Sequence, residues 1–180
     1  PRSPAEPAQP SVHAVRNVAP VRRCASGEPD GQGLPAAQDA GGASYAAGLD
    51  AERAETFARI KVEGIREAGL GVVVTHDPDR GGPQVLGRHS IDDTGLYSTC
   101  LAIQNLWLAA TAEGLGVGWV SFYREQHLRD LLGIPPRVRP VAWLCVGRTS
   151  GLHDVPDLER HRWRGRRPLA EAVHHDRYRS

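Results

Sequence analysis

Lysine is almost missing from this chain: of 22 basic residues among 180, 21 are arginine and one is Lys61. Cysteine is scarce too. Cys24, Cys100 and Cys145 are an odd count with no CxxC spacing, which argues against a disulfide framework or a zinc site and points to a reducing compartment, read here as the cytoplasm. No run approaches the ~18 apolar residues that a membrane-crossing helix needs. The opening Pro1-Arg2-Ser3-Pro4 carries no charged-then-apolar signal segment. An excess of one charge is also lacking: 22 basic against 21 acidic residues leave a net of +1, so nothing drives the whole chain toward nucleic acid or an anionic membrane. A GxSxG nucleophile elbow is absent.

The arginine excess has a bland cause in high-GC coding. Under that reading the surviving lysine is chance. Under the other, Lys61 marks a place where a compact ammonium does what a planar guanidinium cannot. The composition leaves both open.

The length suits one domain, but the texture is uneven. In residues 1–48, Ala, Pro and Gly number 11, 7 and 6, and large apolar side chains are few. This segment is expected to be atypical and mostly irregular, because it buries too little surface to offset its ordering entropy. Residues 49–150 read as the core and 151–180 as an Arg-rich extension. Asp50 can cap a helix from Ala51 to about Ala68. Leu70–Thr75 is a β-branched run suited to a buried strand. Leu96–Gly116 is apolar around most of its girth, which predicts a central buried helix. Strands over Val117–Phe122 and Val138–Val146 flank a short helix, Arg124–Leu132, stopped by Gly133. One central helix with few strands makes the class α+β.

Several motifs invite functional readings. Gly114-Leu115-Gly116-Val117-Gly118 resembles a dinucleotide fingerprint, but it follows a helix and opens a strand, the reverse of the required order. It reads better as a tight turn with close backbone approach to something flat. Ser121 lies at the end of that strand, where its plain role is a bond to backbone. A Ser-His-Asp set from Ser121, His89 and Asp92 is conceivable only without the elbow. Arg160 to Arg167 holds five arginines in eight positions. Guanidinium forks suit phosphate, while the ordinary alternative is a solvated tail. His174-His175 and Asp176 are adjacent on that tail and lack the convergence a metal needs.

A longer set of strings carries a resemblance. It includes Lys61-Val62-Glu63-Gly64-Ile65-Arg66, Gly81-Gly82-Pro83-Gln84-Val85-Leu86-Gly87-Arg88, Gln104-Asn105-Leu106-Trp107 and Gly116-Val117-Gly118-Trp119-Val120-Ser121. Leu132-Gly133-Ile134-Pro135 and Val141-Ala142-Trp143-Leu144-Cys145-Val146-Gly147 complete the series. From Lys61 to Leu169 the chain resembles the 5,6-dimethylbenzimidazole synthases, the flavin-destroying branch of the nitroreductase family. The resemblance implies a central helix packed on a small mixed sheet, in an intertwined homodimer with FMN held between chains. It implies that reduced FMN meets O2 and is fragmented to 5,6-dimethylbenzimidazole, the lower ligand of vitamin B12, and erythrose 4-phosphate. NAD(P)H, through a flavin reductase, is the indirect reductant. Carried over residue by residue, Ser121 matches a catalytic serine beside the ring. Lys61, Ser11, Arg164 and Arg166 match flavin-binding positions, and no metal is implied.

The chain also departs from that pattern. The family's opening Arg-Arg-Asp-x-Arg motif is absent, and Arg22-Arg23-Cys24 has no acid after it. Pro10-Ser11-Val12 matches the start of the next family motif, after which the likeness lapses until near Leu49. This leads to the expectation that residues 13–46 come from a shifted reading frame and that an opening segment is missing. Two alternatives therefore stand beside the synthase reading. One is a general NAD(P)H-dependent FMN nitroreductase, and the other is a flavin-binding remnant with impaired catalysis.

Overall fold

The computed structural model describes residues 34–60, 68–149, 151 and 153–178. Lys61 and Ser11 lie outside them. The described elements run α1 (Leu34–Ala47), α2 (Ala51–Ala58), β1 (Leu70–His76), α3 (Thr94–Ala112), β2 (Leu115–Val120), α4 (Glu125–Leu132), β3 (Arg139–Arg148) and α5 (Asp157–Arg160), then a 3-10 turn at Leu169–Glu171.

The sheet has the order β1-β3-β2. Both pairings are antiparallel, with Val73 and Val120 each opposite Trp143. The three described strands are thus purely antiparallel where a mixed sheet was expected. The register slips between Val74 and Thr75, whose partners are Ala142 and Pro140. Val141 is the extra residue there, and Pro140, which lacks an N–H, is tolerated in a central strand at such a bulge.

Side chains alternate across the sheet and divide the core in two. Val73, Val120, Trp143 and Cys145 face α4, where Leu128 is fully buried among them. Val72, Val74, Ala142 and Leu144 face α3 through Ile103. Burying one such aliphatic side chain contributes about 1.5–3 kcal/mol, so Leu128 and Ile103 are the main anchors of their helices.

Local signals set the boundaries. The Asp50 carboxylate accepts the Arg53 N–H at 2.8 Å, the cap expected for α2. Gly133, at φ 64°, ends α4 in the left-handed conformation that glycine adopts without penalty. Gly114, at φ 74°, turns the chain from α3 directly into β2. The helix consequently stops at Ala112 and the strand starts at Leu115, both earlier than the apolar pattern suggested. Pairing with β3 ends at Val120, so Phe122 stands beyond the strand.

Three further expectations need correction. Helix α2 ends at Ala58, with its cap at Arg59, where a helix to about Ala68 was expected. Residues 34–47 form a helix within the segment read as mostly irregular; Pro35 suits a first helical turn and alanine has the highest helix propensity. Helix α3 is only half-covered. Its buried positions are Thr99, Ile103 and Ala110, while Tyr97, Leu101 and Leu108 on the far side are 53%, 66% and 59% exposed.

Candidate functional site

Ser121 is exposed just beyond β2, and no hydrogen bond joins it to another described side chain. Its neighbours fix its position. Val120 is buried opposite Trp143, and Phe122 turns into a cluster of four aromatic rings. The Tyr45 ring of α1 stands 5.1 Å from Phe57 of α2 and 5.7 Å from Phe122. Phe57 and Phe122 are 5.8 Å apart in an edge-to-face arrangement, the geometry that aligns a ring's positive rim with another's negative face. Helix α1 rests directly on this turn: a Cβ at Gly41 would come within 2.7 Å of the Phe122 carbonyl oxygen.

The fourth ring is Trp163. It lies 6.4 Å from Tyr45 and 6.3 Å from Phe57, and the Arg53 guanidinium sits over it at 5.5 Å. Phe122 follows Ser121 and Trp163 precedes Arg164, so one cluster ties the strand end bearing Ser121 to the arginine tail. Within that tail Arg160 pairs with Asp157 at 2.8 Å, and Arg167 approaches Glu171 at 3.9 Å. Arg164 and Arg166 are exposed and carry no ion pair among the described residues. Beside Ser121, Tyr123 is partly buried, and its phenol is pushed up from the ordinary value by burial first and by Glu125 second. It therefore stays protonated at neutral pH.

This donor set suits a phosphorylated aromatic ligand. Two uncommitted guanidinium groups offer forked N–H donors to phosphate oxygens. One open hydroxyl can donate to or accept from a ring edge. No atom of the described residues stands within 4 Å of where a Cβ on Gly118 would be, which leaves that stretch of β2 open to close approach among them.

Other sequence candidates do not converge. His89 and Asp92 are exposed in the loop before α3, and no hydrogen bond links them to Ser121. Among the described residues no three His, Cys, Asp or Glu side chains are grouped to hold a metal, and no helix is long and apolar enough to cross a membrane. A shallow hollow lined by Gln126, Arg129, Asp130, Gly133, Ile134 and Pro136 includes none of the candidate residues. Sequence reading missed Arg53, Tyr45, Phe57 and Trp163 as parts of this end of the molecule. The available signal was a tryptophan inside a basic tail, since a large ring is seldom left in water without a partner.

The profile of the Nitroreductase family matches residues 12–148. The chain belongs to the nitroreductase family. A 5,6-dimethylbenzimidazole synthase of Rhodospirillum rubrum is 44% identical over 117 residues, covering 65% of this chain and 56% of that protein. Another, from Rhodobacter capsulatus, is 41% identical over 133 residues, covering 74% of this chain and 62% of its own length. The chain thus spans 56–62% of the length of these curated relatives. Among solved structures, oxidized iodotyrosine deiodinase bound to FMN and 3-iodo-L-tyrosine superposes with a TM-score of 0.52 at 17% identity, over 68% of this chain and 63% of that one. That likeness concerns the nitroreductase fold alone.

Proposed function

We propose that this nitroreductase-family chain is an FMN-dependent oxidoreductase that carries out the oxygen-dependent fragmentation of reduced FMN to 5,6-dimethylbenzimidazole and erythrose 4-phosphate. The observation that carries the reading is an exposed serine ending the Gly116–Ser121 string, tied through one aromatic cluster to two arginines with no acidic partner among the described residues. Likeness to the two synthases supports the choice of reaction within the family.

FMN, when bound and reduced, supplies both electrons for O2 and the carbon skeleton of the product. The chain's own part is to hold and orient it. Arg164 and Arg166 take the phosphate, which costs the exposed guanidinium groups little desolvation. The Ser121 hydroxyl bonds the ring edge and directs the reaction with oxygen. Lys61 and Ser11 complete the flavin contacts. NAD(P)H acts through a separate flavin reductase in the cytoplasm. A second copy of the chain covers the apolar face of α3 at Tyr97, Leu101 and Leu108, because three large side chains exposed on one helix face suit a partner.

The full chain, incubated in air with FMN, NADH and a flavin reductase, is expected to release 5,6-dimethylbenzimidazole, detectable by chromatography. Nitroarene reduction with FMN intact indicates a general nitroreductase instead. Neither product indicates a flavin-binding remnant.

A further inference from the structure

We propose that Trp163 is a positioning residue: it latches the arginine tail onto the α1–α2 end of the molecule and so sets Arg164 and Arg166 for the phosphate. The inference rests on the flavin reading above and adds a part to it.

The backbone around Trp163 is built for this. After α5, the Arg162 N–H bonds the Glu159 carbonyl at 2.9 Å, and the Trp163 N–H bonds the Leu158 carbonyl at 2.8 Å. These are the paired bonds of a Schellman helix ending, whose left-handed residue is usually glycine. Here it is Arg162, at φ 58°, a conformation that a side chain with a Cβ adopts only against a steric penalty. Such a cost persists where surrounding contacts over-determine the geometry. The contacts are visible: Trp163 meets Tyr45 and Phe57, and the Arg53 guanidinium lies over its face. Three side chains from two helices distant in sequence therefore hold one ring of the tail.

The same ring cluster contains Phe122, next to Ser121. Without the indole, residues 164–168 have no regular structure of their own, and the two guanidinium groups sample a wider volume. Their attraction for phosphate remains, but the entropy of ordering them falls on the ligand. The effect is specific to the phosphate end, because the riboflavin moiety carries no anionic group for the tail to hold.

The test measures binding of FMN and of riboflavin to the full chain by equilibrium dialysis, in wild type, Trp163→Ala, Trp163→Phe and an Arg164→Ala/Arg166→Ala double variant. Circular dichroism establishes that each is folded. The expected result is that wild type prefers FMN, that the double variant loses about ten- to a hundredfold of this preference, and that Trp163→Ala loses a similar factor while its riboflavin affinity stays unchanged. Trp163→Phe, which restores a ring, recovers most of the preference. If Trp163→Ala keeps the wild-type preference while the double variant loses it, the latch is refuted and the phosphate role of the arginines stands. Equal weakening of both ligands, or an unfolded Trp163→Ala beside a Trp163→Phe that keeps the fold and still lacks the preference, also refutes the latch. A double variant with the wild-type preference overturns the phosphate reading, and a wild type that binds neither flavin overturns the flavin reading with it.

Discussion

Two adjacent glycines in α1 offer a paired experiment in which the sign of the effect is set by what each faces. A Cβ at Gly41 would lie 2.7 Å from the Phe122 carbonyl oxygen and 2.9 Å from its carbon, whereas a Cβ at Gly42 meets no atom of the described residues within 4 Å. Alanine is favoured over glycine in a helix interior by about 0.8–1.0 kcal/mol, and both substitutions gain that. Gly41→Ala must also push α1 back by about 0.7 Å to reach an ordinary contact distance. The obstacle is backbone, which has no rotamer to yield, and overpacking of this kind costs about 1–3 kcal/mol. The helix-propensity gain cancels between the two variants, so Gly41→Ala should be less stable than Gly42→Ala by about 1–3 kcal/mol. At roughly 2–4 °C per kcal/mol for a chain of this size, the melting temperatures should differ by about 2–12 °C. Gly42→Ala should melt above wild type. Thermal unfolding followed by circular dichroism measures all three. Equal stabilisation by both alanines would refute the close packing of α1 on the turn after Ser121.

Three further outcomes are expected. Leu128→Ala, which empties a fully buried position between α4 and the sheet, should lower stability by about 2–5 kcal/mol in urea unfolding; a loss of a few tenths would show that α4 is not anchored there. Ser121→Gly should abolish 5,6-dimethylbenzimidazole release and leave FMN binding within about twofold, since an exposed hydroxyl carries little of the affinity; unchanged product yield would remove Ser121 from the chemistry. The pKa of His76 is lowered from 6.5 by burial first and the Arg88 charge second, with Arg139 adding and Asp77 and Asp93 opposing. Its unfolded form thus binds more protons between the two pKa values, and its contribution to stability, full above pH 6.5, is lost as pH falls through the folded value. Melting temperature should drop over that range, and His76→Asn should flatten the profile.

The parts of this fold legible in sequence were those decided locally. Asp50 announced a cap by its oxygen, Gly133 a helix stop, and the β-branched runs at 70–75 and 138–146 two strands whose chemistry suits no other state. Helix α1 was missed because its signal is alanine content, which large apolar side chains do not reinforce. The half-bare state of α3 was hidden for a different reason. An all-round apolar pattern predicts cover on every side, whereas the described residues cover only one. The grouping of Tyr45, Phe57, Phe122 and Trp163 was illegible because four rings spread from residue 45 to residue 163 follow no period. Of the candidate site, Ser121 was marked by the family resemblance and the arginine tail by composition. That a tryptophan connects them could not.

Of the three described strands, the one made last lies in the middle. Because β3 separates β1 from β2, the two earlier strands share no ladder, and each must wait for residues 139–148. A nascent chain leaving the ribosome from its N-terminus therefore carries β1 unpaired from residue 76 onward, and β2 beside it from residue 120, until residues 139–148 emerge, both open to pairing with other polypeptides. Closure of this sheet waits on residues 139–148, and any stop codon upstream of β3 leaves a product without either of the two described ladders.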